Sequence, residues 1–214
     1  MALQRLTLRK LPGITFFKLM GTGSGRTFTV RDADLHHWCV LSVWETQEDS
    51  SAYLESKPAK QWQKIAIAQA SIELEPLSAK GTWAKQTPFG NPVPEKWDGI
   101  TAALTRASIK PRWWREFWRS VPPVSTDLNS TAGLITSLGI GEAPIGLQGT
   151  FSIWKSNESI TAFSSKQKPH ADVIARTHET GWYSEELFAR FKVKKLSGTF
   201  AGLDLSKIAE RNSS

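Results

Sequence analysis

Hydrophobic positions along the chain follow two periods, one near 3.6 and one of two, and their alternation predicts a mixed set of helices and strands. Residues 1–10 read as a short basic helix with Ala2, Leu3 and Leu6 on one side, broken at Pro12-Gly13. ITFFKLM (Ile14 to Met20) reads as a strand, and HWCVLSVW (His37 to Trp44) as the next. GTGSG (Gly21 to Gly25) lies between them. It lacks a Walker lysine and does not open a helix, so it reads as a turn rather than a phosphate loop. Thr46 is placed to cap a helix through the fifties and sixties, interrupted at Pro58. A strand begins at Ser71 and ends with KGTW at Trp83.

A Pro- and Gly-rich patch from Thr87 to Gly99 marks the boundary between two parts, 1–95 and 96–214. Beyond it, GITAALTRASI (Gly99 to Ile109) is a strand and PRWWREFWRS (Pro111 to Ser120) a helix stopped by Pro122-Pro123. Gly133 to Gly141 and Leu147 to Trp154 follow as strands, and Ser156 caps a further helix. From Phe188 to Phe200, Ala189, Phe191 and Val193 alternate with Arg190, Lys192 and Lys194, which is strand periodicity. The tail from Ser206 is polar and reads as loose.

The two parts repeat one another. PGITFFKLMGTG at Pro12 pairs with AGLITSLGIGE at Ala132, and KGTW at Lys80 with SGTF at Ser197. VLSVWETQEDSSAYLES at Val40 pairs with TFSIWKSNESITAFSSK at Thr150, a separation of 110. The second part runs strand, helix, strand, strand, helix, strand, the order of a ferredoxin-like unit. The first part gives the same order without its opening strand. The expectation is an α+β fold of duplicated ferredoxin-like units, the dimeric α+β-barrel type. Two antiparallel sheets would pack face to face with helices outside and an apolar chamber between.

The densest chemistry lies in KPHADVIARTHETGWYSEELFAR, Lys168 to Arg190. His170, Ile174 and His178 fall at i, i+4 and i+8 and share a helical face, with Pro169 in its first turn and Gly181 at its end. A hydrogen-bonded core histidine and a metal or heme ligand both fit such a placement. The repeat separates the two histidines, because Lys168-Pro169-His170 pairs with Lys57-Pro58-Ala59. A histidine where the other copy has alanine is not explained by the scaffold.

Composition narrows the partners. A single cysteine, Cys39, excludes a disulfide framework and multi-cysteine metal sites built from this chain, and fits a reducing cytoplasm. No apolar run is long enough for a membrane-spanning helix, and MALQRLTLRK is too polar for a secretory signal. A net charge of +7 admits nucleic acid, an acidic protein or a membrane surface without choosing. LSVWE and FSIWK do not match the aromatic string of paired RNA-recognition modules, so nucleic acid is not expected. Arg112, Arg115 and Arg119 share one helical face, with Trp114, Phe117 and Trp118 on others. That pattern suits an anionic membrane or an acidic ferredoxin, and equally a cover helix with a solvated face.

Four stretches, LPGITFFKLMGTGSGRTFT, LTRASIKPRWWREFWRSVPPVS, GIGEAPIGLQGTFSIW and PHADVIARTHETGWYSEELFARF, resemble the spheroidene monooxygenase family of carotenoid biosynthesis. The resemblance implies a heme protein of dimeric α+β-barrel type. It would oxidise an acyclic carotenoid at C2 to a 2-oxo product, with dioxygen and electrons from a reduced ferredoxin. It implies His170 as the iron ligand; from the residues themselves, His178 on the same face is the runner-up. Arg176 and Arg190 would meet the heme propionates, or pair with Glu179 or Glu186 instead. Trp182, with Trp154, Phe163, Phe188 and Phe191, would line an apolar slot, and Glu185 or a backbone carbonyl would accept the ligand's second ring N–H. No catalytic acid is assigned. A heme or lipophile carrier without turnover, and a cofactor-free oxygenase on the same fold, are the competing readings. Oligomerisation is open, and the expected location is the cytoplasm, at the membrane surface.

Overall fold

The computed structural model describes residues 2–23, 33–113, 128, 131–142, 149–166, 182–200 and 203–211. Their order is α1 (Ala2–Leu8), β1 (Ile14–Gly23), β2 (Ala33–Trp44), α2 (Gln47–Tyr53), α3 (Lys57–Gln63), β3 (Ala70–Gly81) and β4 (Thr101–Ile109). A single 3₁₀ turn at Pro111–Trp113 follows. Then come β5 (Leu134–Gly141), β6 (Gly149–Trp154), α4 (Asn157–Lys166), β7 (Tyr183–Phe200), β8 (Leu203–Asp204) and α5 (Leu205–Arg211). The fold is α+β. Among the described residues no helix is long and apolar enough to cross a membrane.

The strands hydrogen-bond in the order β2-β1-β5-β6-β4-β7-β3, with β8 paired to β7. The β1–β5, β5–β6, β6–β4 and β4–β7 pairs are all antiparallel. This corrects the expectation of two separate sheets: β1 bonds to β5, so strands of both sequence halves share one ladder. The same pairing corrects the glycine-rich turn. Gly21, Thr22 and Gly23 lie opposite Gly141, Ile140 and Gly139 as the end of β1. These glycines are strand residues of β1 and β5 rather than a reversal.

Other boundaries also move. The break between α2 and α3 lies ahead of Pro58, because Ser56 caps α3 through the Ala59 N–H and Pro58 occupies the first turn, where its missing N–H costs nothing. β7 begins at Tyr183, so the end of the histidine-bearing stretch is strand. The tail is ordered as β8 and α5, with Leu205 buried.

Two compact units emerge. One comprises Met20–Trp38 and Leu74–Val193. In it, register puts Ala102, Leu104 and Arg106 of β4 on one sheet face with Phe191, Ala189 and Leu187 of β7. The opposite face carries Thr101 and Ala103, and it is covered by a cluster of Leu128, Trp154 and Ile160 with Phe163 and Leu134. The other unit comprises Met1–Leu19, Cys39–Glu73 and Lys194–Ser214. Pro58 and Ala59 are buried in its helix α3, and Thr46 caps α2 by accepting the Asp49 N–H at 3.1 Å.

Local geometry recurs at the repeat spacing. The Trp44 indole donates to Ser42 at 3.0 Å, and the Trp154 indole to Ser152 at 2.8 Å. Trp44 meets Tyr53 at 5.5 Å and 41°, and Trp154 meets Phe163 at 5.4 Å and 43°. Gly13 accepts from the Glu45 N–H and Gly133 from the Lys155 N–H, both at 2.8 Å.

Candidate functional site

The sheet face that carries Arg106 holds a buried polar cluster. Arg106 follows Ala102 and Leu104 at strand period, so its side chain is drawn in with theirs and is 7% exposed. A guanidinium so placed needs partners. Nη1 donates to Glu185 at 2.5 Å and Nη2 to Ser108 at 2.6 Å, while Glu142 lies 3.5 Å from Nη2. The guanidinium also stands 5.5 Å from the ring of buried Trp83, whose indole N–H donates to Glu142.

Glu185 is held from a second side by the turn after β3. The N–H groups of Lys85 and Ala84 reach its carboxylate at 2.7 and 3.1 Å, and the Thr82 hydroxyl at 3.0 Å. Ala84 and Lys85 have φ of 55° and 61°, left-handed values that cost energy for residues with a side chain. The carboxylate offsets that cost by accepting both N–H groups. Gly81, at φ 95°, lets the strand end pass close to β7, because a Cβ there would collide with the Glu186 carbonyl. Burial alone would raise the Glu185 carboxyl. The Lys85 N–H, the Arg106 guanidinium, the Thr82 hydroxyl and the Ala84 N–H outweigh it and bring the value down to about 2. The cluster thus holds fixed charges around a buried guanidinium, and Arg106 Nε has no hydrogen-bond partner among the described residues. Beside it, a hollow of about 250 Å³ is lined by Lys80, Gly81, Phe89, Asn91 and Leu187.

The structure separates several residues expected to act together. Trp182 is fully buried, 6.5 Å from Trp113, and its carbonyl accepts the Lys110 N–H. Arg190 points to the α4 side, donating to Asn157 at 2.9 Å and Thr161 at 3.1 Å, and burial lowers its pKa. Trp154 pairs with Phe163, whereas Phe191 sits edge-on to Phe89 at 4.8 Å on the opposite face, and Phe188 is 38% exposed. Glu185 is committed to Arg106 and the turn. His170, Arg176, His178, Arg115 and Arg119 lie outside the described residues. Arg112 is exposed and stands 5.6 Å from the ring of Trp113.

Among the described residues no group of three or more His, Cys, Asp or Glu could hold a metal ion. His36 and His37 are exposed on β2, and His37 Nδ1 lies 2.6 Å from Asp34. Burial pushes the Cys39 thiol up to about 12, so it is no thiolate at neutral pH. A second buried cation, Lys192, meets Glu75 at 2.6 Å and also Glu95, with its Nζ 5.8 Å from the Trp97 ring. Sequence reasoning missed the Arg106 cluster. The available signal was an arginine in phase with Ala102 and Leu104 in an otherwise apolar strand.

No family model matches the chain. The spheroidene monooxygenase of Rhodobacter capsulatus is 36% identical over 99% of this chain and 89% of the relative. This chain belongs to the spheroidene monooxygenase family. The family's members in Cereibacter sphaeroides and Rubrivivax gelatinosus are 33% and 31% identical, over 95% and 89% of this chain and 63% and 73% of theirs. As a spheroidene monooxygenase-like protein the chain is an oxidoreductase. Among solved structures, a candidate monooxygenase from Fusobacterium nucleatum aligns with 94% of this chain and 84% of its own, at 17% identity and a TM-score of 0.45. One from Lactobacillus acidophilus aligns with 90% and 82%, at 15% identity and a TM-score of 0.40.

Proposed function

We propose that this chain is a heme-dependent monooxygenase that oxidises an acyclic, spheroidene-like carotenoid at C2 to a 2-oxo product. Dioxygen is the oxidant and a reduced ferredoxin the donor. The observation that carries the reading is 36% identity to a spheroidene monooxygenase across 99% of the chain. In this reading His170 ligates the iron, with His178 as the alternative, and Arg176, Trp182 and Arg190 contribute to the cofactor site.

Support for His170 comes from the repeat. Its counterpart Ala59 is buried in the first turn of α3, a position that faces the interior. The described histidines, His36 and His37, are exposed on β2, whereas an axial donor belongs in an apolar slot. Bound heme would supply the activation of dioxygen. The chain's own part is to bury apolar surface with residues such as Trp182, to exclude water, and to fix charge in the interior. Arg190 would serve that site from the α4 side, where its Nη1 is bonded to Asn157 and Thr161.

The architecture proposed alongside is a duplicated ferredoxin-like unit, 1–95 and 96–214. The order β5-β6-β4-β7 is the ferredoxin order for the second copy, and the paired indole–serine, ring–ring and glycine contacts recur in the first. The arginine face at Arg112, Arg115 and Arg119 is the proposed dock for the acidic donor.

The test is a visible spectrum after reconstitution with hemin. A Soret band that is lost in His170→Ala, together with oxidation of spheroidene by the native chain and not the variant, is the expected result. No Soret band in the native protein would end the heme reading.

A further inference from the structure

The unit formed by Met1–Leu19, Cys39–Glu73 and Lys194–Ser214 carries a surface that neither the family nor the oxygenase chemistry explains. It lies on α3 and the loop that leaves it. Lys57, Lys60 and Lys64 fall at i, i+3 and i+7, on one side of the helix. They line an open hollow of about 410 Å³ with Glu55 and Gln61. Next to it the chain exposes two isoleucines in the open, Ile65 at 80% and Ile67 at 105%. From Lys57 to Ile67 there are three lysines and no acidic residue, so the segment that carries the apolar tip is positively charged. Among the described residues Lys60 meets Glu55 at 2.9 Å.

Exposed branched side chains of this size ask for a cover. A second copy of the chain is a poor one, since the same lysines would face each other on a molecule of net charge +7. An acidic protein would satisfy the lysines, but the isoleucines stand out from the surface rather than lining a groove that could seat a partner's side chain. A bilayer satisfies both. Its acyl boundary takes the projecting isoleucines while its phosphates and carboxylates meet the lysines at headgroup depth.

We propose that Lys57, Lys60, Lys64, Ile65 and Ile67 form a docking surface for an anionic membrane leaflet, with the isoleucines entering the headgroup–acyl boundary and the lysine-lined hollow taking lipid headgroups. This does not depend on heme, on substrate or on turnover. It places the anchor on α3 and its following loop, separate in sequence from the arginine series at Arg112.

Cosedimentation of the full chain with vesicles tests it. The native chain is expected to pellet with phosphatidylcholine–phosphatidylserine vesicles and to stay in solution with phosphatidylcholine alone. Added salt should weaken the partition. Ile65→Ser/Ile67→Ser and Lys57→Gln/Lys64→Gln should each lower it roughly tenfold, with circular dichroism unchanged. Equal partition onto neutral and anionic vesicles would overturn the proposal, as would either double variant binding like the native chain. Displacement by inorganic phosphate well beyond that of sodium chloride at the same ionic strength would assign the hollow to free phosphate instead. Retention on an immobilised acidic protein without vesicle partition would assign the surface to a protein.

Discussion

Glu185 shows how one residue can hold two structures. Its carboxylate balances Arg106 on one side and accepts the N–H groups of the left-handed Ala84–Lys85 pair on the other. Its carboxyl lies near 2, against an ordinary 4.5, so the folded state binds its proton less readily than the unfolded one. That stabilisation is complete above the unfolded value and drains away as pH falls from about 4.5 toward about 2. Glu185→Gln should therefore cost about 2–4 kcal/mol near neutral pH, because it leaves Arg106 short of a buried counter-charge. Urea unfolding of the variant should also lose much of the native protein's pH dependence between those two values. Equal slopes for both proteins would mean the carboxylate is not the titrating group.

At the scale of elements, glycine decides where strands can end. Gly81 and Gly198 both have positive φ, 95° and 80°, and a Cβ on either would strike a backbone carbonyl, of Glu186 and Gln69 respectively. Each also precedes a threonine whose N–H donates to that same carbonyl, at 2.8 Å in both cases. Gly81→Ala and Gly198→Ala should each destabilise by about 2 kcal/mol or more, read as a fall in Tm of several degrees. A neutral effect at either site would break the parallel between the two glycine–threonine pairs. Such elements were legible because their signals are local. Thr46 and Ser156 sit just ahead of their helices, and Ser42–Trp44 and Ser152–Trp154 bond within two residues. Arg106 and Glu185 were not legible as a pair, because 79 residues separate them and only strand register brings them together. Gly21 to Gly23 misled for the opposite reason. A local turn signal was overruled by a distant partner, β5.

For the whole molecule, the two hydrophobic periods pointed to the α+β class, and the pairing of β1 with β5 is what they could not supply. Which strand a half offers to the other half depends on three-dimensional closure, which periodicity does not record. The candidate site divides the same way: buried aromatics were foreseen, but Trp182, Phe191 and Phe188 fall in different surroundings rather than in one slot. The charge of the molecule bears on the proposed acidic donor. With a net charge of +7 and Arg112 exposed, Arg112→Glu should raise the KM for a reduced acidic donor several-fold at low salt and less at high salt. Steady-state rates at two ionic strengths check this, and an unchanged KM would move the donor's dock elsewhere. Among the described residues β3 ends the strand order, and the outer side of such a strand is where another chain could add itself and begin an aggregate. Pro76 stands within β3 and has no N–H to offer, so an added strand would find a gap in the ladder. One missing donor thus works against edge-to-edge growth of the sheet.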